Sequence, residues 1–166
     1  DYYSSYFESK KVQPKLFKRN IYEGGYTKNL EVSFNSEKKE ATVKNIKKGT
    51  TDIISTKDNV QDLISSLYYL RKNFSEDDID EGDFFNINMF YDSKNSELAL
   101  KYLGKEVIRT KYGRIECLKL MPATNRSRIF KGEGSITIWL TNDANKIPIR
   151  VQADLLVGSI LSLIHI

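Results

Sequence analysis

The sequence predicts a mainly β chain: an antiparallel curled sheet or partly open barrel with one helix at about residues 58–72. Three observations predict it. First, residues 132–160, GEGSITIWLTNDANKIPIRVQADLLVGSI, alternate with a period of two on both sides of a polar turn. Ile136, Ile138 and Leu140 fall on one face and Thr137, Trp139 and Thr141 on the other. Ile147, Ile149, Val151, Ala153 and Leu155 then alternate with Arg150, Gln152 and Asp154. Such alternation marks strands with one face buried. Second, short apolar runs separated by turn residues recur at roughly ten-residue spacing, the rhythm of an antiparallel β-protein. Third, a single segment breaks that rhythm with helical spacing.

The elements follow in order. Residues 1–7 and 16–21 read as a strand pair turning around Gln13 and Pro14. Gly24 and Gly25 permit the next turn, before residues 26–34, where Leu30, Val32 and Phe34 share a face. Residues 35–39 form a polar loop, 40–46 a strand and 47–51 a connection. In residues 58–72, Val60, Leu63, Ile64, Leu67, Tyr68 and Leu70 follow the helical period, with Gln61, Asp62, Ser65, Ser66 and Arg71 off the stripe. Asp58 is the expected N-cap, and Asp62 stands in the first turn, where the helix dipole favours an acid. The stripe is expected to cover the open sheet; lining a ligand site is the alternative. Four further strands follow at 84–91, 97–103, 106–110 and 115–120, with turns at 92–95 and at Tyr112-Gly113. A polar loop, 122–134, leads into the last hairpin, whose turn comes from Asn142, Asp143, Ala144 and Asn145. One domain over residues 1–160 is expected, since a chain of 166 residues buries a single substantial core.

The 132–160 hairpin, with its WLTNDANKIPIRV run, resembles the C-terminal signature of a family of exported Gram-negative bacterial proteins of undefined function. The segments VQPKLFKRNIYEGGY (12–26), DNVQDLISSLYYLRK (58–72), EGDFFNINMFYDSK (81–94) and YLGKEVIRTKYGRIECLKLMP (102–122) occur in that family's order. The resemblance covers nearly the whole chain. It implies an exported, mostly β domain, periplasmic or otherwise outside the cytoplasm, and supplies no catalytic residues. It also implies further strands ahead of Asp1, so the chain reads as a fragment, and a charged strand after Ile160. The sequence that stands there instead, LSLIHI (161–166), is read as a non-native tail, with a true apolar final strand as the alternative.

Composition narrows the function classes. The net charge is +4 and the pI near 9.0, which favours anionic partners. The lysines are scattered, however, in pairs such as Lys10-Lys11, Lys38-Lys39 and Lys47-Lys48 near turns, and a nucleic-acid partner is not expected. No apolar run approaches the roughly 20 residues that span a bilayer as a helix. Cys117, the one cysteine, allows no internal disulfide and reads as a small buried hydrophobe. The one histidine, His165, lies in the suspect tail, leaving residues 1–160 without an imidazole for a Ser-His-Asp or Cys-His arrangement. The acidic cluster Glu76, Asp77, Asp78, Asp80, Glu81 and Asp83 misses calcium-loop spacing, because Gly82 takes a ligand position. Glu133 is the one acid flagged for glycosidase chemistry, and nothing places a second carboxyl opposite it. No catalytic, metal or cofactor residue is assigned.

The expected ligand-facing residues are Trp139, Thr137, Thr141 and Arg150. On a curled sheet their face lines a cavity, with Arg150 meeting an anionic headgroup; alternatively, Trp139 packs beneath the helix. The expected function is non-enzymatic: binding or carrying an apolar envelope ligand, a lipid or lipoprotein, in a groove of the sheet. The alternative is an envelope scaffold that binds another protein by a sheet face or edge, with a carboxylate hydrolase last. A sizeable apolar cavity favours the carrier, and a filled core with an exposed apolar patch favours the scaffold.

Overall fold

The computed structural model describes residues 1–111, 113–123, 136–154 and 159–163. The chain is mainly β, with two antiparallel sheets, one helix and, among the described residues, no closed barrel. Five strands pair in sequence order: β1 (Tyr2–Glu8), β2 (Gln13–Glu23), β3 (Tyr26–Asn35), β4 (Glu40–Asn45) and β5 (Thr50–Ser55). The other sheet has the order β11-β10-β9-β8-β7-β6, from β6 (Phe84–Tyr91), β7 (Lys94–Thr110), β8 (Gly113–Pro122), β9 (Ile136–Thr141), β10 (Pro148–Asp154) and β11 (Ser159–Leu163). Two compact units emerge, Asp1–Leu70 with Ile87–Ser96, and Arg71–Asn86 with Glu97–Ile166.

In the first unit, alternation puts Phe17, Leu30, Val32, Phe34, Ala41 and Val43 on one face of the five-stranded sheet. Val60 and Phe90 pack on that face, joined by Tyr3, Ile54, Leu63 and Ile64, and Phe90 meets Phe34 edge-on at 5.8 Å. The cover is therefore mostly the stretch ahead of the helix. That stretch touches β6 through a single bridge residue, Gln61. Gln61 N–H donates to Asn88 O and Phe90 N–H donates to Gln61 O, each at 2.8 Å, in a parallel bridge between Gln61 and Met89.

The helix α1 (Ser65–Asn73) begins later than its sequence period predicts, and Asp62 rather than Asp58 caps it. Asp62 Oδ1 accepts from the Ile64 and Ser65 amides (2.9 and 2.8 Å), while Ser65 Oγ accepts from the Asp62 amide at 2.9 Å. This is a reciprocal cap, followed by the first helical bond from Ser66 N–H to Asp62 O. Ser5 Oγ donates to Asp62 Oδ2 at 2.6 Å, tying β1 to the helix start. Asp58 instead pairs with Lys39 on the surface. Gln61, Asp62, Ser65 and Ser66, expected off the buried stripe, are buried, and Tyr68, expected on it, is exposed and rests on Phe7. The bridge resets the phase of the segment, so its polar groups turn inward, where cap hydrogen bonds satisfy most of them.

Several boundaries differ from the sequence reading. The β1–β2 turn is residues 9–12, and Pro14 lies inside β2 beside a bulge, where a missing N–H costs the ladder little. β5 takes in the end of the connection expected at 47–51 together with residues 52–55, to which the sequence reading assigns no element; it is an edge strand in which Ile54 alone is partly buried, so it carries little alternation to read. The strands expected at 97–103 and 106–110 are one strand, β7, bulged between Tyr102 and Lys105. Gly104 there has φ +86, and a Cβ would stand 2.6 Å from the Glu81 carboxylate. The β6–β7 turn shrinks to Asp92 and Ser93, with φ 49 and 60, a tight two-residue hairpin loop. β11 pairs with β10 from Asp154 opposite Ser159 to Arg150 opposite Leu163. Tyr112, most of the 122–134 loop with Glu133, Leu155 and His165 lie outside the described residues.

Burial pushes the Asp62 carboxyl above the ordinary aspartate value of 3.8, against the donors that hold it down. A raised folded-state pKa means that its stabilising contribution is complete below the unfolded value and is lost as pH rises through the folded one. Asp62→Asn keeps a capping oxygen and removes the charge. Its stability relative to wild type, from urea unfolding, is therefore expected to improve between pH 3.5 and pH 7; a difference independent of pH contradicts this.

Candidate functional site

The four ligand-facing residues expected from sequence fall on β9 and β10 of the second unit. Trp139 stands directly between Lys119 of β8 and Arg150 of β10 in the sheet register. Lys119 Nζ and Arg150 Cζ each lie 5.4 Å from its ring centroid, within cation–π range. The indole Nε1 donates to Glu106 Oε2 at 3.2 Å, and the same oxygen pairs with Lys119 Nζ at 2.9 Å. The hydrogen bond from Lys119, and then that from the indole, hold the Glu106 carboxyl below the usual glutamate range. Trp139 is only 4% exposed and packs with Ile108, Cys117 and Ile149, all strand residues.

Ile149 was expected on the face opposite Arg150. The register shifts between Pro148 and Arg150, and such a bulge sets two successive side chains on one side. Ile149 and Arg150 thus both reach the Trp139 face. Thr137 is buried beside Trp139 in sequence alternation, but Thr141 is committed elsewhere. Its Oγ1 donates to Asp143 Oδ1 at 2.9 Å and accepts from Ile147 N–H at 2.8 Å, closing the hairpin turn. Cys117 is fully buried, its thiol pushed up by that burial, so the sulfur packs rather than reacts.

A second cluster lies in the first unit and had no sequence signal. Arg19 on β2 stacks on Tyr91 (4.7 Å) and Tyr3 (5.8 Å) and donates to Asp92 Oδ1 at 2.6 Å; Lys28 on β3 reaches the same oxygen. Burial alone would raise the Asp92 carboxyl, but Lys28 and Arg19 outweigh it and hold it below the usual range. Only the paired register of β2 and β3 with the hairpin turn brings these groups together.

The opposite, outward face of that five-stranded sheet carries Tyr2 and Tyr6 of β1, Lys18 and Tyr22 of β2, Glu31 of β3 and Ile53 of β5. Tyr2, Tyr6, Tyr22 and Ile53 are 57–78% exposed, and Lys18 pairs with Glu31 at 2.8 Å among them. Two concavities have mixed polar and apolar linings. One of about 260 Å³ is lined by Asn35, Glu37, Lys57, Asp58 and neighbours in the first unit, and one of about 410 Å³ by Asn73, Ser75, Asp78, Asp83 and Phe84 in the second. Among the described residues no three acidic, histidine or cysteine side chains converge on a metal position. The acidic connection instead bonds to β7, Gly82 N–H to Tyr102 O and Tyr102 N–H to Asp83 O.

The chain belongs to a family of proteins of unknown function, DUF3108, whose model matches residues 1–164. No curated protein and no solved structure matches it.

Because Trp139 is the single tryptophan, its emission reports its own surroundings, the Glu106 contact among them. A depressed folded-state pKa gives stabilisation that is present above the unfolded value and lost as pH falls through the folded one. Acid titration of the emission is expected to show a midpoint below the glutamate value of 4.5, absent in Glu106→Gln. An unchanged titration in that variant removes Glu106 from the indole.

Proposed function

We propose that this protein is a non-enzymatic interaction domain of the cell envelope that docks another protein on the outward face of its five-stranded sheet. One observation carries the reading: Tyr2, Tyr6 and Tyr22 stand more than half exposed on that face while the inward face is closed by packed apolar residues. Tyrosine offers large, rigid, amphipathic contact area at low entropic cost and is enriched at recognition surfaces. Lys18 and Glu31, half-exposed between the tyrosines, add polar groups that fix register without much energy of their own. Export to the periplasm belongs to the same proposal and rests on the sequence resemblance.

Carriage of an apolar lipid or lipoprotein by the Trp139 face is the less favoured reading. Trp139, Thr137 and Thr141 are packed inside, and the concavities described mix polar and apolar lining residues rather than forming an apolar groove. Among the described residues the most buried carboxylate, Asp62, is spent on capping α1, which weighs against a carboxylate hydrolase built on it.

Crosslinking of the full-length protein in its native compartment tests the proposal. A crosslinked protein mapping to β1 and β2, lost in a Tyr2→Ser, Tyr6→Ser, Tyr22→Ser variant that keeps its fold, is the expected result. A stoichiometric lipid-sized adduct in native mass spectrometry, with no protein crosslink on that face, overturns it in favour of the carrier.

A further inference from the structure

We propose that Arg150, held against Trp139, forms a recognition site for a single oxyanion group, a phosphate or a carboxylate. It involves the second unit alone and stands independently of the protein-docking face. The argument is a comparison of two arginines in one molecule. Arg19 and Arg150 each lie partly buried with the guanidinium against an aromatic ring, and each has a buried Nε without an acceptor. For Arg19 the fold supplies a carboxylate, Asp92 Oδ1, at 2.6 Å from Nη1. Arg150 forms no ion pair among the described residues. The acid of its row, Glu106, already serves Lys119 at 2.9 Å and the indole at 3.2 Å.

Among the described residues the row Lys119, Trp139, Arg150 and Glu106 therefore carries two cations and one acid, whose charge acts on both Lys119 and Arg150, and so a surplus positive charge in partly desolvated surroundings. A charge withdrawn from water is costly unless paired, and an anion is the group that offsets it. The planar guanidinium presents paired donors that match the oxygens of phosphate or carboxylate. The bulge at Ile149 fixes Arg150 opposite Trp139, and stacking on the ring restrains the side chain before any ligand arrives. Trp139 is too buried to stack on a sugar or aromatic ligand, so the recognised feature is the acidic group itself.

The single tryptophan makes the test direct. The full chain is titrated with inorganic phosphate, and separately with phosphatidylglycerol vesicles, at ionic strength matched with chloride, while Trp139 emission is read. A saturable change with phosphate identifies a small-anion site; a change only with phosphatidylglycerol, and not with phosphatidylcholine, identifies a headgroup site. Either supports the proposal. Arg150→Gln is expected to weaken the response by about tenfold or more, the scale of a lost charge-assisted hydrogen bond. Where that variant fails to fold by near-ultraviolet circular dichroism, Arg150→Lys, which keeps the charge but not the fork, is read instead and weakens the response. No saturable change with phosphate or phosphatidylglycerol, the same change with chloride, or an unaltered affinity in the folded variant overturns it.

Discussion

A carboxylate withdrawn from water, Asp62, joins the three parts of the first unit. It receives the β1 hydroxyl of Ser5, caps α1 through two amides, and follows directly on Gln61, whose backbone bonds to the β6 residues Asn88 and Phe90. The energies are unequal. Burying Val60 and Phe90 contributes about 1.5–3 kcal/mol each, whereas a cap is typically worth about 1 kcal/mol. Asp62 therefore specifies where the apolar cover lies more than it supplies the energy holding it. Without that anchor, the same apolar residues have no fixed register over Phe34 and Val43.

A sheet covered on one side leaves its other side to solvent. On the first unit that side carries tyrosines, with one lysine–glutamate pair at 2.8 Å between them. In the second unit the corresponding control is exerted by bulges. One extra residue at Ile149 and one at Gly104 re-aim side chains on β10 and β7, so that a tryptophan, two cations and a glutamate share a face with Cys117 and Ile108.

Much of the fold was legible because period-two alternation is imposed by burial. β3 and β4 follow it closely, whereas β6, β8 and β9 bury successive residues (Met89 with Phe90, Cys117 with Leu118, Trp139 with Leu140), and on β9 the face expected to be polar, Thr137, Trp139 and Thr141, is buried while Ile136 and Ile138 are only partly so. β5 was illegible for the converse reason: an edge strand in which Ile54 alone is partly buried leaves no pattern. The helix period was real, but its phase was misread, because a parallel bridge formed by Gln61 depends on a strand more than twenty residues later. The candidate site shows the same division. Trp139 and Arg150 were identified together from alternation, while Lys119 and Glu106 required the β8 register and the β7 bulge, which are tertiary facts. The outward tyrosines carry period-two spacing on β1, but sequence alone does not say which face of that strand is covered.

The account rests on the claim that a short segment anchored at Asp62 closes one face of the five-stranded sheet and thereby leaves the other as a recognition surface. Amide hydrogen exchange on the Asp62→Ala variant tests that claim most directly. The account predicts that protection falls together at Gln61, Ser66 and Phe90 and across the β3 and β4 amides that the segment covers. Loss confined to the α1 amides, with β3 and β4 protected as in wild type, would contradict it and make Asp62 a local helix cap.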